Sequence, residues 1–141
     1  MALKVVENGL TQFLLDWATK ANTEEYEIGL FKNDWTPVVG DTISAVTPCD
    51  FGGYTGTIVL DSWDTGGLSF VDPRAVVLHP FVTWTADGTT TNNVYGYYVQ
   101  TTGGVLLWAE RRVDSPVPAV VGVVAGQTYS VIPKMTMRSE F

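Results

Sequence analysis

Alternating apolar and polar residues, cut by glycine, asparagine and aspartate about every ten positions, leave this chain little choice but short antiparallel strands. Tyr26, Ile28 and Leu30 alternate with Glu25, Glu27 and Gly29 in a strand that runs to Lys32. Residues 55–62 form a β-branched run that ends in Asp64-Thr65-Gly66-Gly67. Residues 74–85 predict one strand with Val76, Leu78, Pro80, Val82 and Trp84 on a single face. Asp87-Gly88 is a hairpin signal. Runs 93–101 and 105–111 are joined by Thr101-Thr102-Gly103-Gly104, the clearest hairpin in the chain. Residues 127–138 alternate Tyr129, Val131, Pro133, Met135 and Met137 against polar neighbours and Ile132. Pro80 and Pro133, inside such patterns, predict edge strands or bulges.

One segment keeps a helical period. Leu10, Phe13, Leu14 and Trp17 form a stripe at i, i+3, i+4 and i+7, with Asn8 as the expected N-cap and Lys20 near the C-terminal end. That stripe packs either on the chain's own sheet or on a neighbouring subunit. The expectation is an all-β fold, an antiparallel β-sandwich or jelly-roll-like barrel, with one N-terminal amphipathic α-helix. Residues 1–22 form the helical segment and 23–141 a single β-sandwich domain. Strand–helix alternation is missing, which argues against an α/β nucleotide fold.

The 141 residues are 45% apolar and only 16% charged, a composition that buries a core and does not stay disordered. A formal charge of −7 repels phosphate, so no nucleic-acid partner is expected. Single His and Cys residues do not supply an ordinary zinc, haem or iron–sulfur ligand set, and no cofactor is expected. Cys49 reads as a small half-buried residue, with a reactive thiol as the alternative. Residues 1–8 show no signal-peptide pattern, and the most apolar stretch, 116–126, is too short to span a bilayer. The expectation is synthesis in a cytoplasm and no membrane partner.

Sites for chemistry are scarce. No phosphate-binding glycine motif occurs, and the glycine pairs at 52–53, 66–67 and 103–104 fall at turns. His79 lies mid-strand opposite Leu78 and reads as a hydrogen-bonded surface or interface residue. Ser62 and Ser69 stand in no nucleophile elbow. Asp61 and Asp64 flank Trp63 and Glu110 follows Trp108, which raises a glycosidase-like acid pair. The plainer readings are solvated turn acids and a Glu110 paired with Arg111 or Arg112. Seven loop aspartates admit calcium, yet no run gathers three ligands. Trp35, Trp63, Trp84, Trp108, Tyr95, Tyr97 and Tyr98 divide between core, interface and a sugar-stacking platform presented by Trp35 and Trp63.

Several segments together resemble a family of small virion proteins of tailed bacteriophages. They are Leu30-Phe31-Lys32-Asn33 with Thr36-Pro37, Phe51-Gly52-Gly53-Tyr54 before Trp63, and the tyrosine-rich run 94–99. The series closes with Leu106-Leu107-Trp108-Ala109-Glu110-Arg111 and the terminal run 129–137. The resemblance covers residues 10–137 and carries no catalytic residues. It implies a non-enzymatic capsid decoration (cement) protein on the outer surface of the virion. Its implied partners are the major capsid protein and itself, as a homotrimer. A minor tail component and a carbohydrate-binding module are the alternatives. Leu10, Phe13, Leu14, Trp17, Trp35 and Trp63 are the candidate interface residues.

Overall fold

The computed structural model describes residues 6–112 and 119–138. Residues 1–5 of the expected leaderless start and 116–118 of the apolar stretch lie outside the described residues. The chain is all-β with one N-terminal helix. The described residues hold α1 (Glu7–Glu24) and eleven strands. The strands are β1 (Tyr26–Phe31), β2 (Ile58–Leu60), β3 (Ser69–Val71), β4 (Arg74–Leu78), β5 (Val82–Thr85), β6 (Asn92–Val94), β7 (Gly96–Gln100), β8 (Leu106–Arg111), β9 (Ala119–Val121), β10 (Thr128–Val131) and β11 (Lys134–Arg138). No helix among them is long and apolar enough to cross a membrane.

Two compact units emerge, each built from separate stretches of chain. Residues 1–25, 60–81 and 132–141 make the first, and 26–59 with 82–131 make the second. This grouping cuts across the division at residue 22 read from the sequence, because the helix is packed against strands that come much later in the chain.

In the first unit, β4 is the middle strand of an antiparallel sheet ordered β11-β4-β3. The helix packs chiefly on β4, with further contacts to β11 and β3. Its buried face is Leu10, Leu14, Ala18 and Ala21, at i, i+4, i+8 and i+11. Phe13 is 57% exposed, a correction to the expected stripe. The buried line runs on through Ala18 and Ala21, which leaves Phe13 off it. Asn8 is not the cap either. The helix starts after Val6 and so takes Asn8 into its first turn, and Lys20 forms a 3.8 Å ion pair with Glu24. The helix stops at Glu25, whose φ of 55° reverses the chain into β1.

The second unit contains the sheet β2-β1-β7-β8 and two strand pairs, β5 with β10 and β6 with β9. Its core includes Ile28, Leu30, Phe31, Phe51, Trp84, Val94, Val99 and Val121. Both faces of β7 are covered, so Tyr97 and Tyr98 are buried together. Tyr98 lies over β1 at Gly29, where an added Cβ would sit 2.6 Å from its ring. The hairpin 101–104 forms as expected, with Gly104 at φ 87°. Asp87-Gly88 turns the chain as expected, but β5 pairs with β10 and β6 with β9, not with each other.

Neither long strand expected at 74–85 and 127–138 is continuous. Each breaks at its proline, and the breaks are unequal. His79, Pro80 and Phe81 lie between β4 and β5, and Ile132 and Pro133 between β10 and β11. The buried alternation differs on the two sides of the break: Ala75, Val77 and His79 are buried before it, and Val82 and Trp84 after it. The expected single face of Val76, Leu78, Pro80, Val82 and Trp84 therefore does not exist.

Candidate functional site

The strongest convergence of polar and aromatic side chains in the first unit lies beside the end of β4. Trp63, 2% exposed, stands at its centre. Helix α1 reaches it twice. The ring of Trp17 meets Trp63 edge-on at 5.1 Å between centroids. One turn later, Asn22 Oδ1 accepts from the Trp63 backbone N–H at 2.7 Å, and Asn22 Nδ2–H donates to the Trp63 carbonyl at 3.1 Å. That paired bond uses one amide side chain as a surrogate strand neighbour for a loop residue.

His79 completes the cluster from β4's end. Its ring meets Trp63 edge-on at 5.4 Å. The Ser62 backbone N–H donates to His79 Nε2 at 3.1 Å, and Nδ1 lies 2.8 Å from the Pro80 carbonyl. A ring nitrogen that accepts from N–H must be unprotonated, so Nδ1 carries the proton and donates to Pro80. Both nitrogens are thus committed to the backbone. His79 is buried, not the surface residue expected, because it continues the alternation that buries Ala75 and Val77. Ser62 Oγ–H donates to Asp61 Oδ1 at 3.0 Å, so it is not aimed at the imidazole.

Above this floor is an open depression of about 570 Å³, walled by Ser62, Asp64, Thr65, Leu78, Phe81 and Ile132. Its rim is apolar: Leu78 is 47% exposed, Phe81 68% and Ile132 61%. The sequence reading placed Ile132 on the polar face of its run but expected Leu78 on the buried one, and it did not single out Phe81. The signal was Pro80, since a proline there ends the strand and with it the shared face expected for Leu78 and Trp84.

The candidate interface residues separate. Leu10 and Leu14 are core, Phe13 is exposed, and Trp17 and Trp63 come together in the first unit. Trp35 belongs to the second unit. Burial removes Trp63 from any sugar platform, a correction to that alternative. Trp35 is half-buried. Its Nε1–H donates to Asp41 Oδ2 at 2.9 Å, its ring meets Phe31 edge-on at 5.0 Å, and its carbonyl accepts from Arg111 at 3.1 Å. Arg111 also pairs with Asp34 and lies 5.1 Å from the Tyr95 ring centroid. Glu110 accepts from Tyr97 O–H at 2.7 Å. Burial first, and then that contact, push the phenol of Tyr97 up.

Cys49 is buried, and desolvation is the main reason its thiol is pushed up to about 12, with Lys32 opposing in part. Asp50 is held below the ordinary carboxylate range by Lys32 at 2.9 Å and then by Asn92 at 2.9 Å. Among the described residues, no group of three His, Cys, Asp or Glu side chains is placed to hold a metal ion. The chain matches no known protein family, no curated protein and no solved structure.

Proposed function

We propose that this chain is a non-enzymatic structural protein of a phage virion, a capsid decoration protein bound on the outer face of the shell. The observation that carries this reading is the apolar rim of Leu78, Phe81 and Ile132 around the Trp63–His79 floor. Clustered exposed apolar side chains of this kind favour cover by another protein surface. Supporting it, the residues with most chemical potential are spent on structure: His79 on two backbone groups, Glu110 on Tyr97, Cys49 on the core. A charge of −7 suits the side of a shell that faces away from DNA. The partners are the major capsid protein and further copies of this chain, assembled as a trimer.

The test has two readouts. Light scattering over a dilution series should give a mass near three times 15.4 kDa. Added to shells of the phage that encodes it, the chain should co-sediment and raise their melting temperature, and Phe81→Asp should weaken both effects. A chain that stays in the supernatant and leaves shell melting unchanged would overturn the proposal.

A further inference from the structure

We propose that a groove in the second unit, between residues 35–41 and strand β8, binds a neutral oligosaccharide. This rests on observations separate from the shell-binding reading. The groove encloses about 380 Å³, within the range of small-ligand sites. Trp35 and Trp108 both line it, with Val38 and Leu107 adding aliphatic wall and Asp41 a carboxylate.

Two features make this a prepared site. Trp35 is held at its ring by Phe31 and Asp41 and at its backbone by Arg111, so its half-exposed indole loses little freedom when covered. Asp41 is held as well. It accepts from Trp35 Nε1–H and from the Val38 backbone N–H, both at 2.9 Å and both on Oδ2. Among the described residues its protein hydrogen bonds end on that one oxygen, which leaves Oδ1 to a ligand donor.

The ligand class follows from the pairing. An indole asks for a flat apolar face, and a fixed carboxylate oxygen beside it asks for a hydroxyl donor. A pyranose offers both, with C–H bonds on one face and hydroxyls around its rim. Anionic sugars and phosphates are disfavoured by Asp41 and by the net charge of −7. A small quaternary ammonium would use the indoles but leave most of the groove empty. The sequence pointed to Trp35 with Trp63 as a platform; the structure supplies Trp108 as the partner instead, from the neighbouring strand.

The test is calorimetric titration of the intact chain with cellohexaose, maltohexaose and chitohexaose, read in parallel by tryptophan fluorescence. At least one should bind and shift the emission. Asp41→Asn keeps an amide oxygen for Trp35 and Val38 but replaces the second acceptor with a donor. It should weaken binding about tenfold, the loss expected for one hydrogen bond to a charged group, at an unchanged melting temperature. Trp108→Ala should weaken it further. Silence toward all three sugars, or affinities unmoved by both variants, would overturn the proposal. So would binding of tetramethylammonium or decaproline in place of the sugars.

Discussion

At the scale of single residues, the most consequential side chain is one that the sequence does not advertise. Asn22 sits late in α1, where an asparagine is usually a neutral surface residue, yet it holds both backbone groups of Trp63. Asn22→Ala should destabilise the protein by about 1–3 kcal/mol, since it leaves a loop N–H and C=O without their partner. A denaturant melt would detect this. Cys49 gives a second expectation. Burial and a thiol pushed up to about 12 mean that it should not react with iodoacetamide near neutral pH until the protein unfolds. Fast native-state labelling would contradict that. Asp50 gives a third. Its folded-state pKa is depressed, so its stabilising effect is present above the unfolded value and is lost as pH falls through the folded one. Asp50→Asn should therefore flatten the loss of stability below about pH 4, measured by melts across the acid range.

At the scale of elements, the helix sets the clearest test. Leu14 is fully buried and Phe13 is largely exposed, although they are neighbours on the expected stripe. Leu14→Ala should cost about 2–5 kcal/mol and Phe13→Ala well under 1 kcal/mol, compared by chemical denaturation. Equal costs would mean that the helix is seated differently. Most elements were legible in the sequence because period and turn chemistry are local: the helix, β1, the hairpin 101–104 and the strand β8 all appear where expected. The β4–β5 break was legible only as a proline, because where pairing stops depends on the partner strand and not on the local sequence. The partners of β5 and β6 were hidden for the same reason, since a turn signal reports that the chain reverses and not what pairs afterwards. The candidate site was legible in composition and not in arrangement. Trp63 looked like a surface platform because nothing local announces Asn22, Trp17 and His79 closing around it.

At the scale of the molecule, charge and apolar surface oppose each other. Fifteen acids against eight bases make any two copies repel, whereas exposed Phe81 and Ile132 favour contact. Salt screens the first and leaves the second. Self-association should therefore tighten as sodium chloride is raised, which sedimentation equilibrium at several ionic strengths would measure. An oligomer that dissociates with added salt would instead be held by ion pairs.

The interleaved path of the chain also sets an order of events during synthesis. Helix α1 and strands β3 and β4 leave the ribosome early, but their sheet lacks β11 until the whole of 82–131 has been made. Through that interval one edge of β4 is open and Ala75 and Val77 lack part of their cover. The nascent first unit must wait for the second, which makes the interval before β11 emerges the period when the chain is most exposed to mispairing.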